Sequence, residues 1–213
     1  MAKLKVGILI SGRGSNMAAL IEAAKADDYP AEIACVVSNV ATAPGLKIAQ
    51  EAGVTTVTVS HKDFPDREAF DRAISAELDK CGVELVALAG FMRIQSPWFP
   101  ARWAGRIVNI HPSLLPAFPG LHVQQQAIDA GVRVSGCTVH FVTAELDAGP
   151  IIAQAAVPVL EDDNAETLAN RILRQEHRLY PLVVRWIAEG RISLAGRRVR
   201  VKDAATLVFS NDP

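Results

Sequence analysis

The first two-thirds of the chain alternates short continuous apolar runs with longer segments in which apolar residues recur every three or four positions. Continuous runs predict strands buried on both faces, and the recurring pattern predicts helices between them. The strands fall near residues 6–10, 33–38, 56–59, 85–89 and 107–110, and the helices near 15–26, 44–52, 65–81 and 97–103. Because strands alternating with helices form βαβ units, this part predicts a mostly parallel, doubly wound α/β sheet.

The pattern changes beyond residue 137. Two strand-like runs, 138–142 and 151–159, are separated only by residues 143–150, which are too few for a crossover helix. They are therefore expected to pair antiparallel, as a hairpin at the sheet edge. A long C-terminal helix follows, with Asp163 and Glu166 fitting its start. The residues after Gly190 predict a short terminal hairpin, with a frayed end at 210–213.

Composition and charge exclude some classes of protein. Half of the 213 residues are hydrophobic and the formal net charge is −1, so one large domain or two small ones can form and a general nucleic-acid-binding surface is disfavoured. A basic cluster at 197–202 alternates with valine and predicts an exposed strand.

Cys35, Cys81 and Cys137 have no metal or redox spacing, which indicates a reducing compartment. Neither a signal-peptide pattern nor a membrane-length apolar run is present, so the prediction is a cytoplasmic protein without membrane association.

A glycine-rich turn at residues 11–16 separates the first strand from the first helix. Glycines allow close approach to the backbone, and a helix N-terminus favours an anion, so the turn is a candidate phosphate site. The alternative is a plain tight turn. Ser15 or Asn16 is expected to cap the helix. The turn is neither a dinucleotide fingerprint, since Met17 replaces the third glycine, nor a Walker A loop.

The strand near 107–110 ends in polar side chains. Asn109 and His111 are two residues apart, so they point to the same face of the strand, where open parallel sheets bind ligands. Asp147 has two interpretations: a turn residue, or a carboxylate that pairs with His111 and favours its charged form. His61 is expected at the surface, and His140 faces either solvent or a cleft. No nucleophilic serine or cysteine and no metal constellation is evident.

Several segments together resemble the phosphoribosylglycinamide formyltransferases, a family of folate-dependent enzymes of purine synthesis. The matching segments are ISGRGSN at 10–16, LAGFMRI at 88–94, NIHPSLLP at 109–116, PGLH at 119–122, HFVT at 140–143, ELD at 145–147, QEH at 175–177 and YP at 180–181. The likeness runs from about Lys5 to Arg191. It implies a Rossmann-like fold of the formyltransferase type and one domain over 1–213, with a phosphate-binding half at 1–105, a catalytic and folate-binding half at 106–190 and a tail at 191–213.

The resemblance also implies an activity: transfer of the formyl group of 10-formyltetrahydrofolate to the amine of glycinamide ribonucleotide, without a metal. The implied partners are these two small molecules, and the implied assembly is a monomer or homodimer. The substrate-binding residues would be Gly14, Ser15, Asn16 and Glu176; the folate site would take Arg67, Met92, Arg93, Ile94, Gln95, Asn109 and Val142; and Asn109, His111 and Asp147 would be catalytic. Ala144 and Leu173 depart from residues common in the family, which puts pterin-loop and phosphate contacts there in doubt.

The hypothesis for the reaction is direct transfer through a tetrahedral intermediate, with Asn109 and protonated His111 donating to its oxyanion and Asp147 holding His111 charged. One alternative is a hydrolase that releases formate, which would share these three residues and usually carries an added N-terminal domain. Methionyl-tRNA formyltransferases share them too and add a C-terminal domain. A third alternative is a phosphate-binding module without catalysis.

Overall fold

The computed structural model describes residues 2–204. Its strands are β1 (Leu4–Ile10), β2 (Ala31–Ser38), β3 (Thr56–Thr58), β4 (Leu85–Leu88), β5 (Ile107–His111), β6 (Val134–Phe141), β7 (Ile151–Pro158), β8 (Ile192–Ala195) and β9 (Arg198–Val201). Its helices are α1 (Ser15–Ala24), α2 (Pro44–Glu51), α3 (Arg67–Lys80), α4 (Trp98–Arg102), α5 (Val123–Asp129) and α6 (Ala165–Ala188), with a 3-10 helix at His61–Asp63. Strands β1 to β7 form one sheet in the order β3-β2-β1-β4-β5-β6-β7. The predicted fold class, mostly parallel with an antiparallel edge hairpin and a long C-terminal helix, is confirmed.

The chain divides into two compact units. Unit 1 comprises residues 1–109 and 142–144, and unit 2 comprises 110–141 and 145–213. The predicted division into halves at 1–105 and 106–190 with a tail at 191–213 stays a prediction. None of the helices within residues 2–204 has the length and apolar character needed to span a bilayer.

Unit 1 is built on parallel strands. β1 pairs with β2 on one side and β4 on the other, β2 pairs with β3, and β4 pairs with the first residues of β5. The apolar runs are continuous because the core strands are covered on both faces; Ile8, Leu9 and Ile10 are fully buried. On one face, Phe70, Ile74 and Leu78 of α3 pack on a core that includes Leu9, Val86 and Ile107. The carboxyl ends of these strands carry the polar segments described below.

Unit 2 contains the antiparallel pair β6 and β7, with a register shift between Val139 and His140. Gly136 allows these strands their close approach, because a Cβ there would lie 2.0 Å from the Ala155 carbonyl oxygen. The long helix α6 begins after Asn164, which forms a capping box with Thr167. The helix therefore starts close to the predicted Asp163 signal.

Asp163 has a different role from the one expected at a helix start. It accepts hydrogen bonds from Leu160 N, Thr167 Oγ1 and Arg171, and the Arg171 guanidinium holds the pKa of this carboxyl well below its usual range. Asp163 therefore links the segment that precedes α6, at Leu160, to Arg171 in the second turn of the helix.

The terminal hairpin is formed by β8 and β9, as predicted, and Arg198 and Arg200 of the basic cluster are exposed. Arg197, in the turn between the two strands, donates a hydrogen bond to the Ala148 carbonyl at 2.8 Å. The hairpin therefore contacts the loop that follows Asp147. Residues 210–213, predicted to be frayed, lie outside the described residues.

Candidate active site

The glycine-rich turn begins where β1 ends, and α1 starts at Ser15. Gly14 precedes the helix with φ 74°, a left-handed conformation that glycine adopts without strain. The N-cap residue is Gly14, which has no side chain to cap the helix, so the prediction that Ser15 or Asn16 caps it is wrong. Both residues already lie within the first helical turn, because the chain reverses one residue earlier, at Gly14.

A close backbone contact explains why this turn needs glycine. Gly45, in the first turn of α2, donates its N–H to the Gly12 carbonyl at 3.1 Å. A Cβ on Gly14 would lie 2.9 Å from Gly45 Cα, and a Cβ on Gly45 would lie 3.0 Å from Gly12 O. The two glycines therefore allow the start of α2 to pack directly against the turn. The residue types of the turn alone do not predict this long-range contact.

The turn opens onto a cleft of about 580 Å³ in unit 1. The cleft is also lined by the end of β2 at Asn39, by His61, and by the segment after β4 that includes Arg93. His61, expected at the surface, is half-buried, because the 3-10 helix places its ring edge-on against Phe70, 6.2 Å between centroids. Among the described residues, the lining includes Arg13, Arg93 and His61 but no carboxylate, which favours an anionic ligand.

Ser11 connects three segments at this cleft. Its Oγ donates to Asn39 Oδ1 at 2.6 Å and accepts the Met92 N–H at 2.7 Å, and its own N–H donates to Gly90 O. Through its hydroxyl and its own N–H, Ser11 therefore fixes the glycine-rich turn to the backbone of residues 90–92, next to the folate residues 92–95 implied by the family resemblance.

Asp71 of α3 holds the residue that follows the implied folate residues 92–95. Its carboxylate accepts the Ser96 N–H at 2.6 Å. Burial raises the pKa of Asp71, and the bond from Ser96 and the charges of Arg67 and Arg93 oppose that rise. Met92 and Ile94 are 67% and 63% exposed, so both side chains are accessible to an apolar ligand.

The remaining residues assigned to folate also lie in unit 1. Arg93 Nε and Gln95 Nε2 are buried and have no hydrogen-bond partner within residues 2–204, so both are candidate donors to a polar ligand. Arg67 is the first residue of α3, and Val142 donates its N–H to Ile107 O at 3.0 Å. Asn109, half-buried, is opposite Leu88 in the pairing of β5 with β4.

His111, the last residue of β5, is 5% exposed. Its Nδ1 lies 3.5 Å from Asp147 Oδ2, so the structure brings together two residues that are 36 positions apart in the sequence. Its Nε2 lies 3.0 Å from the Phe118 carbonyl oxygen. A carbonyl only accepts, so Nε2 carries the hydrogen, and only the protonated ring can donate to both oxygens at once. Both ring nitrogens therefore face protein oxygens.

Asp147 is held by a third group. Its Oδ2 accepts the backbone N–H of Gly120 at 2.9 Å, and its side chain is 8% exposed. Its φ of 50° is left-handed, a conformation that costs a non-glycine residue about 1–3 kcal/mol and that clusters at functional sites. Asp147 is therefore a turn residue, and its carboxylate faces His111; its role in holding His111 charged stays a prediction. Gly120 was not assigned a role from the sequence, since a backbone donor leaves no side-chain signal.

His140 also approaches the carboxylate, with Nε2 3.8 Å from Asp147 Oδ1. Of its two predicted orientations, toward solvent or a cleft, solvent is excluded, because the residue is 2% exposed. Burial lowers the pKa of His140, although the Phe141 carbonyl and Asp147 oppose this. Nδ1 lies 2.9 Å from Phe141 O and donates to it, so in the neutral ring the nitrogen facing Asp147 carries a lone pair. The carboxylate of Asp147 therefore faces two imidazoles, and burial lowers the pKa of one of them, His140.

The loop after His111 is fixed by buried hydroxyls. Ser113 Oγ lies within hydrogen-bond distance of the Ala117 and Phe118 carbonyls, at 2.7 and 3.0 Å. Thr138 Oγ1 donates to Ser113 O and accepts the Leu115 N–H. Ser113 is fully buried and committed to backbone oxygens, so it has no role as a nucleophile.

Glu176 lies on α6 in unit 2, with 6% of its surface exposed. Burial raises the pKa values of Cys137 and Tyr180, and the nearby charge of Glu176 raises both further. Cys137 is fully buried in β6, in agreement with a core role. Within residues 2–204, no group of three or more His, Cys, Asp or Glu side chains could hold a metal ion.

Comparison with known proteins identifies the class. The model of the formyl transferase family matches residues 4–184, so the chain belongs to this family. It is 47% identical over 191 residues to the phosphoribosylglycinamide formyltransferase of Escherichia coli (strain K12), covering 90% of each chain. The predicted resemblance and the prediction of a formyltransferase enzyme are confirmed.

Solved structures agree. Glycinamide ribonucleotide transformylase 1 from Symbiobacterium toebii superposes with a TM-score of 0.92 at 50% identity, over 94% of this chain and 95% of the other. A formyltetrahydrofolate deformylase from Pseudomonas syringae pv. tomato superposes with a TM-score of 0.87 at 30% identity, over 94% of this chain and 66% of that one. The fold of this chain therefore occurs in solved proteins with two different enzyme names.

Proposed function

We propose that this chain transfers the formyl group of 10-formyltetrahydrofolate to the amine of glycinamide ribonucleotide in purine biosynthesis. The observation that carries the proposal is the buried pair of His111 and Asp147, 3.5 Å apart, in a chain that belongs to the formyl transferase family and is 47% identical to a phosphoribosylglycinamide formyltransferase. A cytoplasmic location and a monomeric or homodimeric state remain predictions alongside it.

The binding roles follow from the chemistry of each unit. The turn with Gly14, Ser15 and Asn16 binds the ribonucleotide phosphate, because it combines a helix start without a side-chain cap with a cleft that has no carboxylate among its described lining residues. Buried Glu176 accepts hydrogen bonds from hydroxyl groups of the same substrate.

The folate lies against Met92 and Ile94, whose apolar side chains are exposed, with polar contacts to Arg93 and Gln95. Arg67 and Val142 border this folate site. No metal takes part in the proposed reaction.

The reaction is a direct acyl transfer. The substrate amine attacks the formyl carbon, a new C–N bond forms, and the carbonyl oxygen becomes an oxyanion that accepts hydrogen bonds from Asn109 and protonated His111. The bond between the formyl carbon and the folate nitrogen then breaks. The proton lost by the attacking amine passes through water and Asp147 to the departing nitrogen, so charge is balanced.

His111 must change partner during this reaction. Its Nε2–H is donated to the Phe118 carbonyl, at 3.0 Å, so it reaches the oxyanion only by exchanging that carbonyl for the substrate oxygen. The developing negative charge favours the exchange, since a charge-assisted hydrogen bond is stronger than one to a neutral carbonyl. The carboxylate of Asp147, 3.5 Å from Nδ1, orients the ring while the exchange occurs.

The test is a spectrophotometric assay of folate product with purified protein, with and without glycinamide ribonucleotide. Product that requires the ribonucleotide supports the proposal. Asp147→Asn should lower kcat by roughly 10²- to 10³-fold, the range found when one group that stabilises an oxyanion is lost. Asp162→Asn, an exposed acid elsewhere in unit 2, is the matched control and should keep full activity. Unchanged turnover in Asp147→Asn would exclude the assigned role.

Hydrolysis is the second candidate function, and the similarity to a formyltetrahydrofolate deformylase favours it as the alternative. A hydrolase would use the same pair of His111 and Asp147 with water as the acceptor in place of an amine. The same assay separates the two functions: folate product and formate released without ribonucleotide would indicate hydrolysis.

A further inference from the structure

His61 is a basic side chain in the cleft of unit 1 that has no role in the function proposed above. We infer that His61 donates a hydrogen bond from Nε2 to an oxygen at the anionic, phosphate-bearing end of the ribonucleotide, and is therefore a further binding residue for that substrate. The inference rests on the proposed function and adds one residue to its phosphate site.

The orientation of the ring leaves one nitrogen for a ligand. Nδ1 of His61 is buried and has no hydrogen-bond partner within residues 2–204, whereas the residue as a whole is half-buried and lines the cleft. A ligand in the cleft can therefore reach the ring through Nε2. A neutral imidazole that carries its hydrogen on Nε2 is a donor there, which suits an oxygen that only accepts.

The position of the ring is set by the fold. Ser60 caps the 3-10 helix His61–Asp63 by accepting the Lys62 N–H at 3.3 Å. The His61 ring meets Phe70 at an interplanar angle of 79°, and Phe70 is 2% exposed in the core of unit 1. The donor is therefore preorganised, so a ligand does not have to order it.

The surroundings favour an anion over a neutral ligand. Arg13 and Arg93 line the same cleft, and no described residue of the lining is a carboxylate. The whole turn 11–16 also lines it, including the uncapped start of α1. A carboxylate of the folate could accept the same hydrogen bond, but the complete turn favours the phosphate, because backbone N–H groups at a helix start are suited to it.

The experiment compares wild-type protein with His61→Ala, His61→Gln and Lys62→Ala. Calorimetric titration gives Kd for glycinamide ribonucleotide, and steady-state assays give kcat and both KM values. His61→Ala should raise Kd and KM for the ribonucleotide about tenfold, the loss expected for one hydrogen bond to a charged group. Both kcat and KM for 10-formyltetrahydrofolate should stay within twofold.

Two variants serve as controls. His61→Gln keeps an N–H donor at a similar reach and should recover part of the lost affinity, which a merely structural role would not predict. Lys62→Ala removes an exposed neighbouring charge that is not part of the cleft lining and should leave all constants within twofold. Urea midpoints check that each variant is folded.

The outcomes separate this inference from the proposed function. If His61→Ala leaves ribonucleotide affinity unchanged, or raises KM for the folate instead, the inference is wrong while the proposed function stands. If wild-type protein neither binds the ribonucleotide nor forms product from it, the proposed function itself fails.

Discussion

Replacing Gly136 with alanine should disrupt the pairing of β6 with β7. An added Cβ would lie 2.0 Å from the Ala155 carbonyl oxygen and 2.9 Å from Leu114 Cδ2. The leucine terminus can move, but the carbonyl belongs to the backbone of the paired strand. Since separations under 3.0 Å are essentially never seen, the two strands must move apart by about 1 Å at this position.

The expected cost is about 3 kcal/mol of unfolding free energy. Added methyl groups in packed interiors cost about 1–3 kcal/mol, and a clash with backbone in a hydrogen-bonded pair belongs at the upper end of that range. With a urea m-value of about 2 kcal/mol/M, the midpoint should fall by about 1.5 M. The measurement is urea unfolding followed by circular dichroism.

Gly12→Ala is the matched control for stability. A Cβ at Gly12 meets no atom within 4 Å, so its unfolding free energy should stay within about 0.5 kcal/mol of wild type. If Gly136→Ala were as stable as Gly12→Ala, the argument from backbone contact would be refuted.

Two further predictions concern the other unit and the approach to α6. Ser11→Ala removes the acceptor of the Met92 N–H, so KM for the folate should rise about threefold to tenfold in steady-state assays; an unchanged KM would show that this bond does not position the folate segment. Asp163→Ala removes a carboxylate bonded to Leu160 N, Thr167 and Arg171, and urea unfolding at neutral pH should show a loss of about 2 kcal/mol. Because the folded-state pKa of Asp163 is lowered, its contribution is present above the ordinary value of 3.8 and disappears as pH falls below it, so wild type and variant should converge in acid; a difference independent of pH would contradict this.

The sequence was sufficient where local pattern decides structure. The continuous apolar run at 6–10 and the short spacing at 143–150 predicted a buried parallel strand and an antiparallel hairpin, because burial on both faces and the length of a crossover helix leave few alternatives. Asn109 and His111 could be assigned to one strand end from their spacing alone.

The sequence was insufficient where contacts join distant segments. Nothing near Asp147 shows that Gly120 donates to its carboxylate, or that both nitrogens of His111 face protein oxygens. Likewise, the start of α1 after Gly14 depends on packing against Gly45, and the position of His61 depends on Phe70. These features follow from tertiary packing, which propensity and spacing do not encode.

The hydrogen bond from Arg197 to the Ala148 carbonyl links residues 49 positions apart, which has a consequence for synthesis on the ribosome. At about 5–20 residues per second, the arginine is added roughly 2–10 s after the alanine. Throughout that interval the Ala148 carbonyl of a nascent chain lacks the hydrogen bond from Arg197. The loop beside Asp147 is therefore among the last parts of the molecule to acquire all of its contacts.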